Sequence, residues 1–209
     1  MFFTRCPVGC DSMLKKSGIG LPEGELLRCP DCGQLLSQAD ETVYNEAMQR
    51  FDSQHGVDKN PRAHLRRLRR IRHYWSVPPE ETRILDVGCS FGTFLGILSE
   101  HGFNAEGVEP AEKAAGECRR AGLKVHHGIL QDVGFSDGDF DVITMYEVIE
   151  HLPDPRPLME ECHRVLRKGG MMFLSTGNAR SWTARVMKGQ WDYFSMLDGG
   201  QGHISFFNP

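Results

Sequence analysis

Apolar positions follow two alternating rhythms between residues 84 and 176. Short runs at 84–87, 104–108, 123–127, 141–145 and 171–176 read as strands, each bounded by glycine or acidic turn residues. Between them lie helical spacings: Phe94, Leu95 and Leu98 after Gly92, the stretch 111–121, and Leu158, Cys162, Val165 and Leu166 within 157–166, followed by a turn at 167–170. Strands alternating with helices predict an α/β fold with a mostly parallel, doubly wound, Rossmann-like sheet and right-handed crossovers. In such sheets ligands sit at the carboxyl ends of the strands, where this sequence collects residues 86–92, Glu109, Asp132 and residues 145–151.

Upstream, Leu65, Leu68, Ile71 and Trp75 recur at three- and four-residue steps after Pro61, which predicts an amphipathic helix over 61–75. Its other face holds Arg62, Arg66, Arg67, Arg69, Arg70 and Arg72 with no acid among them. Such a face suits phosphate, of a nucleic acid or of a phosphorylated substrate. The favoured reading is a solvated face with some arginines paired to acids elsewhere. A further helix is expected over 41–52, with a break at Gly56. The predicted organisation is a module at 1–40, a helical linker at 41–79 and a main domain at 80–209.

Composition changes this picture little. The chain has 209 residues, 40% hydrophobic and 25% charged, enough for one ordinary domain with an appendage. A net charge of −4 gives no global demand for nucleic acid or an anionic membrane. No apolar run approaches a membrane span and the start lacks a signal-peptide pattern, so a cytoplasmic protein is expected.

Cysteine usage is uneven. Cys6, Cys10, Cys29 and Cys32 crowd the N-terminal segment, whereas Cys89, Cys118 and Cys162 are scattered. Two close pairs joined by a glycine-containing loop or short hairpin are what a tetrahedral Zn²⁺ requires, and four thiolates would make the zinc structural. Free thiols or a redox pair are the alternative. The module could bind nucleic acid, bind a partner or cover an edge of the main domain.

The stretch RILDVGCSFGTFLGILSEHGFNAEGVE carries the chemistry. Gly88 and Gly92 allow a sharp turn and close approach of a ligand to the backbone, and Glu109 at the next strand tip can accept hydrogen bonds from both ribose hydroxyls. The dinucleotide fingerprint fails, because Ser90 and Thr93 stand where GxGxxG needs glycines. Asp86 before the turn would repel a pyrophosphate but suits a ligand carrying an ammonium and a sulfonium.

DVGCSFG followed by GVEP resembles the first two motifs of class I S-adenosylmethionine (SAM) dependent methyltransferases. FDVITMYEVIEHLPDP resembles the fourth-motif region of a subgroup that includes ubiquinone-biosynthesis and many small-molecule and sugar methyltransferases. The resemblance covers residues 84–178. It implies SAM as donor, held by Asp86, Gly88, Cys89, Gly92, Glu109, Pro110, Gln131, Asp132, Met145, Tyr146 and Glu147, with Asp132 near the adenine amino group. It implies a methyl acceptor at an oxygen, nitrogen or carbon, of small-molecule or sugar type. His151, just beyond the fourth strand, is the candidate general base and His203 the second. Family members continue past a similar HISFF stretch with another helix and an antiparallel hairpin, so the sheet here is expected to lack its last strands. The rival reading is a zinc-containing RNA-binding or scaffold protein on a non-catalytic methyltransferase-like fold, gripping through the cysteines and the arginine helix.

Overall fold

The computed structural model describes residues 3–38, 42–45, 61–194 and 202–208. Between the two cysteine pairs runs an antiparallel hairpin of β1 (Lys15–Leu21) and β2 (Gly24–Arg28). Leu26 and Leu27 are buried in β2, and β3 (Leu35–Leu36) pairs beside it with both leucines inward. Residues 42–45 are helical; the rest of the helix expected over 41–52, and Gly56, lie outside the described residues.

The chain divides into two units, one of which holds residues 61–146 and 157–175 among those described. Its first element is helix α1 (Pro61–Tyr74). The buried stripe runs His64, Leu68, Ile71, Trp75, and Leu65 is 37% exposed, contrary to the sequence expectation. At 100° per residue, steps of four, three and four keep one face, and Leu65 lies one position off it. The arginines make five like-charge pairs at i+3 or i+4 (62/66, 66/69, 66/70, 67/70, 69/72), each unfavourable by roughly 0.2–0.5 kcal/mol. Packing of the apolar stripe must therefore hold this helix in place.

A five-stranded parallel sheet follows: β4 (Arg83–Val87), β5 (Asn104–Glu109), β6 (Val125–His127), β7 (Phe140–Tyr146) and β8 (Leu166–Ser175), in the order β6-β5-β4-β7-β8. The crossovers are helices α2 (Thr93–Glu100), α3 (Glu112–Arg120), the short α4 (Leu130–Val133) and α5 (Arg156–Val165). The strand order reverses beside β4, which creates the crevice where open α/β sheets bind ligands. Leu95 and Leu98 are fully buried against the sheet, each contributing about 2 kcal/mol by removal of its side chain from water. The turn expected at 167–170 sits inside β8 as an irregularity. Leu166 pairs with Phe140 and the next pair is Val142 with Met171, the intervening residues bulging out with Gly169 at φ +79°.

The other unit contains both ends of the described chain and residues 147–156. Helix α6 (Trp182–Met187) starts at Ser181, whose hydroxyl accepts from the Ala184 N–H at 3.1 Å. The last strand, β9 (Ser205–Phe206), pairs antiparallel with β3 and completes a sheet of order β1-β2-β3-β9. Phe206 packs with Leu26, Leu35 and Phe194, and Ile204 with Phe3, Leu27 and Leu36. Among the described residues no strand joins the parallel sheet beyond β8.

Candidate functional site

Register brings the sequence-selected residues of three strands to one edge. Asp86 lies opposite Gly107 of β5 and Thr144 of β7, and Val87 lies opposite Val108 and Met145. The turn after β4 is tied to the end of β5 by its backbone. Gly88 N and Cys89 N donate to the Val108 carbonyl at 2.9 and 3.2 Å. Glu109 completes the tie: its Oε2 accepts from Ser90 N at 2.8 Å and its Oε1 from Ala111 N at 2.9 Å. Both carboxylate oxygens are thus turned toward backbone N–H groups at the strand ends.

Two glycines here are required by space. A Cβ on Gly92, at φ +74°, would stand 2.6 Å from Leu123 Cδ1 and 2.8 Å from Cys118 Sγ. A Cβ on Gly107 would stand 2.5 Å from the sulfur of Cys89. Ser90 takes the left-handed conformation at φ 49° without being glycine, a local strain of the kind found at ligand-binding turns.

Asp86 is buried, and its Oδ1 accepts a 2.6 Å hydrogen bond from the Thr144 hydroxyl. Burial pushes its carboxyl up to about 7, with Thr144 and the positive charge of Arg67 working against the rise and Glu109 adding to it. Arg67 does not lie on a solvated face. Its guanidinium stands 4.2 Å over the ring of Tyr146, at the end of β7, and approaches His64 Nδ1 at 3.2 Å. His64 stacks on Phe94 at 5.8 Å, and Phe94 meets Tyr146 edge-on at 5.4 Å. Burial also pushes the Tyr146 phenol upward, Asp86 adds to this, and Arg67 and Arg70 pull the other way.

The remaining expected donor contacts are placed unevenly. Cys89 and Met145 are buried, whereas Pro110 and, in α4, Gln131 and Asp132 are exposed. Leu130 anchors that short helix from below at 1% exposure. Residues that sequence reasoning missed are Thr144, Arg67, Ser90 and Cys118, whose thiol donates to the Ser90 carbonyl at 3.2 Å. Only Thr144 left a signal, as a polar residue in an otherwise apolar strand centre.

Glu147 and His151 belong to the other unit. Glu147 has φ 56°, again a non-glycine residue in the left-handed region. His151 is buried, with Nδ1 3.2 Å from the Gly202 carbonyl. A carbonyl only accepts, so Nδ1 carries a proton. His203 is held alike, Nδ1 being 3.1 Å from the Tyr193 carbonyl. Burial, with His151 beside it, pushes His203 down to about 3, so it is neutral at physiological pH. The two imidazoles lie 4.8 Å apart, and Tyr193 packs on His203 at 4.1 Å. The Tyr193 hydroxyl donates to Glu150 Oε1 at 2.8 Å and accepts from Gly177 N at 2.7 Å.

The four N-terminal cysteines converge, with all sulfurs within 4.8 Å of one another and those of Cys6 and Cys32 at 3.7 Å. Sulfurs on a tetrahedral zinc are about 3.8 Å apart, as Zn–S bonds of about 2.3 Å require. The donor set thus fits Zn²⁺. Burial pushes Cys6 up to about 12, with the neighbouring thiols of Cys29 and Cys32 adding to it. At Cys29 burial acts upward too, but the backbone N–H groups of Cys32 and Asp31 prevail and bring the thiol down to about 7.

A parallel α/β sheet with a glycine turn at β4, flanked by acids on adjacent strand ends, defines the class I SAM-methyltransferase fold. The chain belongs to the methyltransferase domain family, whose model matches residues 54–209. It is similar to ubiquinone biosynthesis O-methyltransferases, at 29% identity over 136 residues in Aromatoleum aromaticum and 35% in Methylococcus capsulatus. Those matches take in 61% of this chain and 58% and 57% of the relatives, so the chain spans little more than half their length. A solved SAM-dependent methyltransferase from Archaeoglobus fulgidus shares the fold with a TM-score of 0.53 and 22% identity, over 81% of this chain and 69% of that one. No helix among the described residues is long and apolar enough to cross a membrane.

Proposed function

We propose that this chain is a SAM-dependent methyltransferase acting on a small-molecule or sugar-type acceptor, with oxygen favoured over nitrogen or carbon by the names of its relatives. The observation that carries the reading is the placement of Asp86 and Glu109 on adjacent strand ends around the turn of residues 88–92. SAM, when bound, supplies a methyl group already activated by its sulfonium for in-line displacement. The protein's tasks are then to hold and orient. Glu109 would accept from the ribose hydroxyls, Asp86 would face the cationic methionine portion, and Gln131 and Asp132 would meet the adenine. Gly88, Cys89 and Gly92 shape the turn; Pro110, Met145, Tyr146 and Glu147 would line the donor or acceptor cavity.

An acceptor hydroxyl must lose a proton, and His151 would be the group to take it, its ring oriented by the bond from Nδ1 to the Gly202 carbonyl. His203 would position that imidazole. In the N-terminal segment, Cys6, Cys10, Cys29 and Cys32 would hold a structural Zn²⁺, whose binding would supply folding free energy to a segment with a small core. Retention of methyl-labelled SAM on the purified protein, with transfer of label to a panel of phenols and sugars, tests the reading. Failure of the protein to retain labelled SAM at all would overturn it.

A further inference from the structure

Five arginines of α1 remain once Arg67 is assigned to the donor site: Arg62, Arg66, Arg69, Arg70 and Arg72, all exposed. None pairs with an acid among the described residues, and the helix itself has no acid. The five form the solvated face favoured from the sequence, without the acid partners expected for some of them among the described residues. Five like-charge pairs along one helix leave a repulsion that an anion would relieve.

Position selects two of the five. At 100° per residue Arg66 and Arg70 point 40° apart, one helical turn from each other, on the flank between Arg67 and the outer row of Arg62 and Arg69. Arg67 reaches Tyr146 in the donor site, which fixes that flank as the one beside the transfer centre. Arg70 is near enough for its charge to act on the Tyr146 phenol. Two guanidiniums one turn apart match the oxygens of one phosphate or diphosphate group.

We propose that Arg66 and Arg70 form a phosphate-binding site beside the donor site, and that the methyl acceptor is a small molecule carrying a phosphate ester. The statement about the acceptor rests on the methyltransferase reading, whereas phosphate binding itself does not. An anionic membrane is disfavoured because the apolar stripe of α1 is buried in the core and has nothing to insert. A nucleic-acid strand is disfavoured because the chain carries a net charge of −4.

The test is calorimetric titration of pyrophosphate into the full chain, in the presence and absence of S-adenosylhomocysteine. Arg66→Ala/Arg70→Ala should weaken pyrophosphate binding about tenfold, and Arg62→Ala/Arg72→Ala by less than about twofold, as expected when charge-assisted bonds and not a diffuse field hold the anion. Both double variants should bind S-adenosylhomocysteine as the parent does and melt no lower than it, since each removes like-charge pairs from the helix. The proposal is overturned by undetectable pyrophosphate binding, by equal weakening in the two double variants, or by a 20-nucleotide RNA binding about a hundredfold tighter than pyrophosphate with the loss spread over all five arginines. Wild-type protein that binds pyrophosphate as expected but not S-adenosylhomocysteine would leave the site standing and remove the donor reading and the acceptor assignment with it.

Discussion

The hydroxyl of Thr144 donates to Asp86 at 2.6 Å, and this bond joins the middle of β7 to the acid at the tip of β4. Removing the donor while keeping the shape, by Thr144→Val, should raise the Asp86 carboxyl further and weaken SAM binding at neutral pH about tenfold. Calorimetry of the variant against the parent checks this, and equal affinities would show that the bond is incidental to the donor.

The same acid predicts a pH dependence with a definite sign. Burial first, together with Glu109, holds the folded-state pKa of Asp86 at about 7 against Thr144 and Arg67, well above its ordinary value. The folded ligand-free protein therefore binds a proton that the unfolded chain releases. This contribution to stability is complete below about pH 4 and is lost as pH rises through about 7. Melting of the ligand-free protein should accordingly show a fall between about pH 4 and 7, levelling off above, that Asp86→Asn lacks. A cationic donor favours the ionised carboxylate, so SAM affinity should fall about tenfold per pH unit below pH 7 in the parent. A flat profile in the parent would contradict the assignment of Asp86 to the cationic part of the ligand.

For the cysteines, the expected result is one zinc per chain by elemental analysis. Cys29→Ser should lose it, because three thiolates and a hydroxyl make a poor zinc site. Since β1, β2, β3 and β9 share one sheet, chelation should raise amide exchange in the leucines of β2 and β3. Retention of the metal by the variant would argue against a four-thiolate site.

If His151 is the base, His151→Asn should cut kcat by about 10²–10⁴ once an acceptor is in hand, with SAM affinity preserved. His203→Asn is a subtler test, since its imidazole lies beside that of His151 with Tyr193, Tyr44 and Glu150 in the same unit. A positioning role predicts a shifted pH–rate profile, whereas a purely structural one lowers protein stability without moving the profile.

How much of this could be read from the sequence depends on the kind of residue. The strands of the parallel sheet were legible because each is an apolar run ending at a turn, and β4 differs from the expected 84–87 only by Arg83. The acids at the strand tips were legible because spacing along an alternating α/β chain fixes which ends meet. Leu65 was misplaced because a buried histidine, His64, occupies the stripe that an apolar count gives to the leucine. Arg67 was hidden among identical neighbours, and only its stacking on Tyr146 sets it apart. The pairing of β9 with β3 had no periodic signal at all, since two-residue strands from opposite ends of a chain carry none.

The central claim is that adjacent strand-end acids hold an adenosyl sulfonium, and Glu109→Ala tests it most directly because both carboxylate oxygens already organise the turn. Isothermal titration of SAM into wild-type protein should give one site per chain, and the variant should lose at least about 30-fold in affinity, the value of one to two charge-assisted hydrogen bonds. Equal affinity in the two proteins, or no binding by the wild type, would contradict the account.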